Sequence, residues 1–374
     1  MQEHYEFLVI GAGMAGASVA AELAPHGKVL LLEAESQPGY HTTGRSAALF
    51  APTYGPPPIR ALTRASAGFY DAPPAGFAAH PLLQARGALM LARSNQLESL
   101  DALIQEMSPE GPVTRLNARQ MREQVPILKA DYVAAGMLDE SSRDIDVHLL
   151  HQGYLSQLRQ SGGKLQVNAR VDQIDFANSR WTVTFGQRSA SADIVINAAG
   201  AWAEQVGALA GAMPIGLTPK RRTALTVAAP PATDIDSWPA VVDIDEQFYI
   251  KPDAGRLLLS PADETPSEPT DAQPEEMDIA ICIDRVQTAF DLPVNRLESK
   301  WAGLRSFVAD KNPVCGFDPG LSGFFWLAGQ GGYGIQTAPA LARTAAALAR
   351  GEKVPDDIIE QGLQLASIAP ERLA

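Results

Sequence analysis

Short uninterrupted runs of apolar residues alternate with small-residue stretches at the start of the chain. The run FLVI at 7–10 contains no polar residue and is typical of a strand buried on both faces of a parallel sheet. GAGMAG at 11–16 follows, and the alanine-rich segment after it has the composition of a helix that stops at Pro25 and Gly27. KVLLLE at 28–33 is a second buried strand. The pattern predicts one complete βαβ unit.

The order of buried strand, small-residue turn and helix recurs twice later in the chain. It occurs in ADIVINAAGAWAEQVGALAG at 192–211 and in GFFWLAGQGGYGIQTAPALARTAAALARGE at 323–352. Between them, 214–262 contains only strand patterns, whereas 88–144 mixes helical and irregular ones, with LESLDALIQEM as its clearest helix. Segments suited to a nucleotide-binding domain therefore lie at both ends and near residue 190, with a second domain inserted.

The predicted fold class is α/β, with a discontinuous Rossmann-like domain and an inserted domain. The first is predicted over 1–86, 145–212 and 302–374, and the second over 87–144 and 213–301. Two domains also suit a length of 374 residues. In the first domain, HLLHQGYLSQLRQSGG predicts a helix, and KLQVNARVDQIDF and RWTVTF predict strands.

Composition and charge argue against several classes of function. The net charge of −13 opposes binding to nucleic acid or to an anionic lipid surface. No apolar run approaches the roughly 20 residues that span a bilayer, and the N-terminus lacks the basic region and cleavage site of a secretion signal. We therefore expect a cytoplasmic protein without a transmembrane segment, with peripheral membrane association left open.

Neither the cysteines nor the histidines predict a disulfide framework or a metal site. Cys282 and Cys315 are far apart and form no CxxC, which favours free thiols. His148 and His151 could share a helix face, but no third ligand is evident nearby. The proline- and acid-rich segment 261–278 predicts a solvated loop, with a mobile flap as the alternative.

The chemistry begins at the first turn, where Gly11, Gly13 and Gly16 form G-x-G-x-x-G between a strand and a helix. Such glycines allow a tight turn, close approach of a pyrophosphate and close packing of helix on strand. The helix N-terminus offers free N–H groups to phosphates. Glu33 ends the second strand, where a carboxylate can accept hydrogen bonds from ribose hydroxyls. Together these features predict dinucleotide binding.

Several observations favour FAD over a nicotinamide dinucleotide. The chain has one such fingerprint, no redox CxxC, and a long small-residue loop, GYHTTGRSAALFAPTYG at 39–55, that suits backbone wrapped round a flavin. INAAGAW and LAGQGGYGIQ each place glycine after a buried strand, where main chain can pass close to a flat cofactor. Thr337 is a predicted N-cap, with Pro339 in the first turn of a helix whose N-terminus would stabilise the negative charge of a reduced flavin.

The segments VIGAGMAGAS, GYHTTGRSAA, INAAGAW, KRR, FYIKPDAG, WAGLRSFVAD and GGYGIQT together resemble the D-amino acid oxidase superfamily of flavoproteins. Within it, the resemblance is closest to the bacterial FAD-dependent D-arginine dehydrogenases, and it runs over nearly the whole chain. It implies FAD and an inserted α+β substrate domain built on an antiparallel sheet. It also implies oxidation of an amine at a carbon that bears a carboxylate. We expect the FAD to be bound non-covalently, because neither cysteine lies in a flavin loop.

The resemblance also assigns individual residues. The expected FAD contacts are Gly11, Gly13, Ala15, Gly16, Glu33, Ala34, Thr43, Arg45, Ser46, Ala47, Val171, Ala199, Gly200, Trp202, Gly303, Gly331, Gly332, Tyr333, Gly334, Ile335 and Gln336. The expected catalytic residues are Tyr54, Arg222, Tyr249 and Arg305, of which the last three would bind the substrate carboxylate. The expected lining of the substrate pocket is Leu49, Phe50, Ala88, Gly332 and Tyr333.

The two arginines also make sense from their surroundings. Arg305 lies between the apolar segments WAGL and FVA, a poor place for a charge without an anionic partner. Arg222 follows Lys220 and Arg221 at the start of an alternating strand, so one of the three cationic side chains must point inward. A guanidinium binds a carboxylate bidentately, and a tyrosine hydroxyl can add a third bond.

At two positions the chain departs from the D-arginine enzymes. Ala88 stands where they have a glutamate that pairs with the substrate guanidinium, and Leu49 replaces a pocket histidine. Burying a guanidinium against alanine and leucine costs several kcal/mol, so we expect D-arginine to be a poor substrate. The predicted reaction transfers a hydride from the α-carbon of a neutral or apolar D-amino acid to flavin N5. The imino acid then hydrolyses to a keto acid and ammonia, and a quinone of the respiratory chain or O2 reoxidises the flavin.

Three alternatives remain open at the level of sequence. A flavin oxidase of glycine or N-alkyl amino acids would share the fold and the carboxylate contacts. A 2-hydroxy acid dehydrogenase would need a base for the hydroxyl, and Leu49 in place of histidine counts against it. A non-catalytic FAD-binding subunit would have no need for Arg222, Tyr249 and Arg305.

Overall fold

The computed structural model describes residues 3–109 and 111–374, which form twenty strands and nine α-helices. The strands are β1 (Glu3–Ile10), β2 (Val29–Leu32), β3 (Leu49–Phe50), β4 (Leu83–Ala85), β5 (Ala88–Ala92), β6 (Val113–Asn117), β7 (Ala135–Asp139), β8 (Arg143–Ile145), β9 (Lys164–Gln166), β10 (Gln173–Ala177), β11 (Arg180–Phe185), β12 (Arg188–Asn197), β13 (Thr218–Ala228), β14 (Ala240–Asp243), β15 (Tyr249–Asp253), β16 (Arg256–Ser260), β17 (Thr265–Pro266), β18 (Ser299–Phe307), β19 (Val314–Phe317) and β20 (Phe324–Ala328). The helices are α1 (Met14–Leu23), α2 (Pro57–Asp71), α3 (Leu97–Met107), α4 (Ala118–Gln124), α5 (Val147–Gln160), α6 (Ala203–Ala210), α7 (Glu276–Ala289), α8 (Ala338–Ala349) and α9 (Asp356–Ile359).

The first sheet has eight strands and a parallel centre. Its main order is β10-β11-β12-β1-β2-β9, with β20 beside β12 and β19 beside β20. β1 pairs in parallel with both β2 and β12, and β20 pairs in parallel with β12. The predicted βαβ unit is present, and the buried strands near residues 195 and 325 are its neighbours in this Rossmann-like sheet.

Alternation along the central strands separates two cores. Phe7 and Val9 of β1 belong to the cluster that packs against α1, α5 and α8. Leu8 and Ile10 point to the opposite face, where they join a cluster containing Trp181 of β11. Because both faces are covered, β1 is fully apolar from Phe7 to Ile10, as a buried parallel strand requires.

The second sheet has nine strands and is mainly antiparallel. Its order is β17-β13-β16-β15-β14-β5-β7-β6, with β18 beside β13, and only β14 and β5 pair in parallel. One face carries Leu89, Leu225 and Ile250 and packs in a core with Val286 of α7. The predicted fold class is therefore confirmed: a Rossmann-like domain combined with an α+β domain built on an antiparallel sheet.

Several element bounds differ from the prediction. Strand β18 pairs with β13 from Ser299 to Phe307, so the predicted domain division at residue 302 falls inside a strand of the second sheet. The strand expected at 164–176 is two strands: β9 extends the parallel sheet beside β2, and β10 pairs antiparallel with β11. The connection between them carries Asn168 with φ +49°, a left-handed residue that ends β9.

The segment 261–278, predicted as a solvated loop, is attached to the second sheet. Thr223 N–H donates to Asp263 Oδ1 at 2.7 Å, and Lys220 Nζ donates to Glu264 Oε2 at 3.0 Å. Thr265 and Pro266 form the short strand β17 against β13. Acidic residues that read as solvated along the sequence are thus partners of cationic residues on β13. Among the helices that the structure describes, none is long and apolar enough to cross a membrane.

Candidate active site

The glycine-rich turn between β1 and α1 tolerates no side chain at two positions. Gly11 has φ +99°, and a Cβ there would lie 2.5 Å from the carbonyl oxygen of Ala198. A Cβ on Gly16 would lie 1.8 Å from the carbonyl oxygen of Gly11. The turn is therefore pressed between α1 and the end of β12, and Gly13, Met14 and Ala15 at the start of α1 line the cavity beside it.

Glu33 and Thr43 hold this turn in place. The Glu33 carboxylate accepts hydrogen bonds from the N–H groups of Ala12 and Glu35, both at 2.9 Å. The Thr43 hydroxyl accepts the N–H of Met14, the first residue of α1, at 2.9 Å. Each carboxylate oxygen of Glu33 keeps a free lone pair, so the residue can also accept from a ribose hydroxyl.

His151 supports the turn from behind. Its Nε2 donates to the carbonyl oxygen of Ala12 at 2.9 Å, and the side chain is buried. Burial lowers the pKa of His151, which keeps the imidazole neutral. The residue that raised the question of a metal site is therefore part of the support of the nucleotide-binding turn.

Arg45 connects the loop after β2 to the second sheet. Its guanidinium donates to the carbonyl oxygens of Ala272 and Ala302, at 2.9 and 2.8 Å, and forms an ion pair with Asp271. All three partners belong to the protein, so Arg45 has a structural role besides its expected contact with the cofactor. Arg45 lines the cavity and also holds segment 261–278 through Asp271 and Ala272.

One cavity runs from the glycine-rich turn to the end of the second sheet. Most residues expected to contact the cofactor line it: Gly11, Gly13, Ala15, Glu33, Ala34, Thr43, Arg45, Ser46, Ala47, Val171, Ala199, Gly200, Trp202, Gly303, Gly331, Gly332, Gly334 and Ile335. Val171 reaches it from the connection between β9 and β10. Arg222, Tyr249 and Arg305 line the same cavity at its other end. The structure thus brings the nucleotide-binding turn and the predicted carboxylate-binding residues into a single space.

Strand alternation decides which member of the KRR run faces this cavity. Arg222 lies on the same face of β13 as Ala224, and both line the cavity. Arg221 points to the opposite face, where it pairs with Asp278 at 3.0 Å, Asp263 at 3.8 Å and Glu275. The expectation that one of these side chains points inward holds, and Arg221 is compensated by three carboxylates on the other side.

Arg222 is buried with one carboxylate partner. Its Nη2 lies 3.2 Å from Glu264 Oε1 of the attached segment, whereas its Nε has no hydrogen-bond partner among the described residues. Burial, and next the neighbouring Arg305 guanidinium, lower the pKa of Arg222. This environment of two cations and one carboxylate favours an additional anion.

Arg305 lies on β18, directly across from Lys220 of β13. Its guanidinium lies against the backbone of Gly332, where an added Cβ would be 2.9 Å from Nη1, so a side chain there would displace the guanidinium. Within residues 3–109 and 111–374, Arg305 has neither an ion pair nor a hydrogen-bond acceptor for its guanidinium. The charge expected from the sequence to need an anion is therefore open to the cavity.

Tyr249 lines this end of the cavity, and two further tyrosines, Tyr54 and Tyr333, lie near Arg305 without lining it. Tyr249 shares a sheet face with Arg222, and the rings of Tyr54 and Tyr333 are in contact with centroids 5.3 Å apart. Burial, and next the Glu246 carboxylate, hold the pKa of Tyr54 well above its usual range. The Tyr54 hydroxyl therefore stays protonated at neutral pH and can donate a hydrogen bond.

The residues expected in the substrate pocket separate into two groups. Ala88 lies on β5, and the register through Val242 places Ala88 and Met90 on the same sheet face as Tyr249. Leu49 is half-buried on β3. Phe50, in contrast, is 1% exposed and belongs to the core of the first domain, where its ring contacts Tyr70 at 5.3 Å between centroids. Its position corrects the expectation that it lines the pocket, because alternation on β3 turns it away from Leu49.

The side chains of Gln336 and Thr337 make contacts other than the expected ones. Gln336 is buried, but its side chain accepts the N–H of Ala51 at 3.2 Å, so it contacts the loop that carries Tyr54. Thr337 is the N-cap of α8 as predicted, yet its hydroxyl donates to the carbonyl oxygen of Tyr333 at 2.9 Å and does not cap the helix.

The chain matches a known protein family over most of its length. The family described as FAD dependent oxidoreductase matches residues 6–348. The chain belongs to this family. FAD is therefore its cofactor, as predicted, and the protein is an FAD-dependent oxidoreductase.

Relatives and solved structures agree with this assignment. "FAD-dependent oxidoreductase domain-containing protein 1" of Xenopus laevis is 27% identical over 177 residues, which are 43% of this chain and 35% of that protein's length. Glycine oxidase from Geobacillus kaustophilus is similar in structure with a TM-score of 0.84 at 22% identity, over 94% of this chain and 96% of the other. L-Proline dehydrogenase from P. horikoshii has a TM-score of 0.84 at 21% identity, over 97% and 99%. At these identities the structural likeness concerns the fold alone.

The cavity of this FAD-dependent oxidoreductase fits the cofactor on two independent grounds. Gly11 and Gly13 of the glycine-rich turn line the cavity without a side chain, which leaves room for a pyrophosphate beside the start of α1. In addition, three buried polar atoms on the cavity wall have no hydrogen-bond partner within the described part of the chain: Arg222 Nε, Ser306 Oγ and Gln330 Nε2. Buried polar atoms require partners, which a polar cofactor or substrate would supply.

Sequence reasoning missed several residues of this site. Glu264 carries no signal along the chain, because only the pairing of β17 with β13 brings it to Arg222. Met90 and Val242 were not expected in the site, but the pairing of β5, β14 and β15 places both on the sheet face of Tyr249. Other cavity residues that had not been singled out are Thr42, His41, Arg170, Ser306 and Gln330.

Proposed function

We propose that this FAD-dependent oxidoreductase oxidises D-amino acids with neutral or apolar side chains. The observation that carries the proposal is Arg305: its guanidinium faces the cavity and has no anionic partner in the described residues, beside Arg222 with its single carboxylate. A substrate carboxylate would supply the anion that both arginines require.

The substrate-binding step follows from these side chains. A carboxylate between Arg222 and Arg305 would accept charge-assisted hydrogen bonds from both guanidinium groups, and the Tyr249 hydroxyl would add a neutral one. Fixing the carboxylate also fixes the adjacent carbon, which limits the orientations open to its C–H bond. The main contribution of the protein is this positioning.

The overall reaction consumes the amino acid, one water and the final oxidant, and its atoms and electrons balance. When bound, FAD supplies the two-electron acceptor: the α-carbon gives up a hydride and the amine nitrogen a proton, which leaves an imino acid. Water then hydrolyses the imino acid to a keto acid and ammonia. The proposed final electron acceptor is a quinone of the respiratory chain or O2. The proposed location is the cytoplasm. We propose non-covalent attachment of FAD, because Cys282 and Cys315 lie in hydrophobic cores away from the cavity.

The expected side-chain preference rests on the wall of the pocket. Ala88, Met90 and Val242 share the sheet face of Tyr249, and none carries a charge. A guanidinium buried there would lose its hydration, and the Asp139 carboxylate on this sheet face already accepts four hydrogen bonds. Preference for the D enantiomer rests on the resemblance to the D-arginine dehydrogenases, and the absence of their glutamate at Ala88 supports a different side chain.

A second candidate is the oxidation of glycine or an N-alkyl amino acid. The glycine oxidase and proline dehydrogenase that share this fold are named for substrates of these kinds, which also carry a carboxylate. The same arginines would serve this reaction. A 2-hydroxy acid is the remaining alternative.

The test is anaerobic bleaching of the flavin absorbance by matched substrates. The panel comprises apolar D- and L-amino acids, D-arginine, glycine, sarcosine and a 2-hydroxy acid. We expect rapid bleaching by apolar D-amino acids and little by D-arginine. Bleaching by sarcosine or glycine alone would replace the first proposal by the second, and bleaching by D-arginine at the rate of apolar substrates would contradict the reasoning from Ala88.

A further inference from the structure

Polar contacts on two sides hold the segment that carries Tyr54. On the side of the first domain, Gln336 accepts the N–H of Ala51 at 3.2 Å. On the side of the second sheet, the Thr53 hydroxyl donates to Asp139 Oδ2 at 2.6 Å. Thr53, the residue before Tyr54, is therefore bonded to the second sheet, whereas Ala51 is bonded to Gln336 of the first domain.

Asp139 is a buried carboxylate whose partners are all hydroxyl or N–H groups. It is 1% exposed and accepts from Ser141 N at 2.8 Å, Ser141 Oγ at 2.5 Å and Ser142 Oγ at 3.0 Å, besides Thr53. Three of these bonds lie within the turn between β7 and β8. Thr53 provides the one bond that reaches Asp139 from another part of the described chain.

The register of the second sheet places this bond beside the substrate pocket. Asp139 of β7 pairs with Ala88 of β5, so both side chains lie on the sheet face that also carries Tyr249. Thr53 thus connects the segment that carries Tyr54 to Asp139, which pairs with Ala88 across β7 and β5. A shift of this segment would move Tyr54 relative to Tyr333 and change the width of the pocket next to Ala88.

We propose that Thr53 and Asp139 form a positioning pair that fixes Tyr54 at the wall of the substrate pocket. This rests on the proposed function for its kinetic consequence. Neither side chain needs to touch the substrate: the charge-assisted hydrogen bond holds the backbone of 51–55, and Tyr54 follows. Leaving a buried carboxylate without one of its hydrogen-bond partners costs free energy. The segment is therefore restricted to positions in which the Thr53 hydroxyl reaches Asp139.

Thr53→Val tests the pair, since valine has the shape of threonine without the hydroxyl, and Thr53→Ser restores the hydroxyl without the methyl group. We expect Thr53→Val to raise the Kd for substrate about tenfold, equivalent to about 1.4 kcal/mol, as measured from anaerobic flavin reduction. The limiting rate of reduction should change less than the Kd. Thr53→Ser should recover most of the affinity.

Hydrogen exchange of peptides that cover residues 49–56 provides a readout that needs no substrate. Exchange should be faster in Thr53→Val than in the wild type, and Thr53→Ser should restore protection. Thr344→Val is the control, because it also removes a threonine hydroxyl bond, in this case to the carbonyl oxygen of Ala340 within α8 at 2.8 Å. It should not alter exchange in 49–56.

Two results would overturn the proposal: wild-type affinity and exchange in Thr53→Val, or a Thr53→Ser protein that behaves like Thr53→Val and so traces the effect to the methyl group. If exchange rises in Thr53→Val while no amino acid reduces the wild-type flavin, the proposed substrate class fails and the anchoring role stands. The two proposals are thus separated by the same set of proteins.

Discussion

At the scale of single residues, alternation along a strand divides adjacent arginines between two tasks. Arg221 and Arg222 differ by one position on β13, yet one is compensated by three carboxylates and the other faces the cavity with Glu264 alone. A shift of the strand register by one residue would exchange their surroundings. The chemistry of the site therefore depends on register as much as on residue type.

Substitution by lysine at each position tests this division. Lysine keeps the charge and loses the planar donor pattern that matches a carboxylate. We expect Arg222→Lys to lower kcat/KM for the best amino acid by about 10- to 100-fold, the size of one strong charge-assisted hydrogen bond. Arg221→Lys is the matched control: it should lower the melting temperature and leave kcat/KM near the wild-type value. Equal kinetic losses in the two variants would refute the assignment of faces.

At the scale of elements, the turn from β1 to α1 is fixed by close contacts and by hydrogen bonds from distant residues. Gly16 packs on the carbonyl oxygen of Gly11, and His151 of α5 bonds to Ala12 in the same turn. Glu33 bonds to that residue from β2. The turn is therefore shaped by α1, α5 and β2 together.

Gly16→Ala should reduce the FAD content of the purified protein severely. The added Cβ would lie 1.8 Å from a backbone oxygen, which cannot move without displacing the turn. Gly68→Ala in α2 is the control, because nothing lies within 4 Å of its added Cβ. It should keep full FAD content and gain about 0.5–1 kcal/mol in the free energy of unfolding, as expected for glycine to alanine inside a helix. Flavin absorbance per protein and thermal unfolding measure both, and full FAD content in Gly16→Ala would contradict the packing argument.

At the scale of the whole molecule, the cavity exists because two sheets from different domains meet, and Arg45 joins them. Its guanidinium bonds to Ala302 of β18 and to Asp271 and Ala272 of the attached segment. Trp301 Nε1 donates back to the Arg45 carbonyl oxygen at 3.0 Å. The loop after β2 is thus tied to the second sheet through side chain and main chain.

Arg45→Met should loosen this connection. We expect faster proteolytic cleavage within 261–278, because this segment loses its Ala272 carbonyl contact and its Asp271 ion pair to Arg45. We also expect faster loss of FAD, because Arg45 lines the cavity. Arg343→Met, which removes a comparable ion pair to Asp357 at 2.7 Å on the first domain, should leave cleavage of 261–278 unchanged. Limited proteolysis and flavin fluorescence after dilution measure the two effects. Cleavage at the wild-type rate in Arg45→Met would show that other contacts hold the segment.

Much of the fold could be predicted because its signals are local. The apolar run 7–10 predicts a strand, the three glycines predict a turn, and Glu33 predicts the end of a strand, each from residues that are close together in the sequence. The roles of Phe50, Gln336 and segment 261–278 were not predictable in the same way. Each depends on a partner far along the chain, such as Tyr70 for Phe50 or β13 for Glu264.

The sequence by itself determined the nucleotide-binding βαβ unit, the FAD family and the need of Arg305 for an anion. The family follows from the resemblance of several motifs taken together. The βαβ unit and the expectation for Arg305 follow from residue type, spacing and neighbours in the chain, because glycine geometry, strand burial and the cost of an unpaired charge act locally. Only the tertiary structure decided that Arg222 and not Arg221 faces the cavity, that Glu264 is its partner, and that Thr53 is tied to Asp139. Strand register and the meeting of the two sheets set these contacts, and both depend on packing between residues that are distant in sequence.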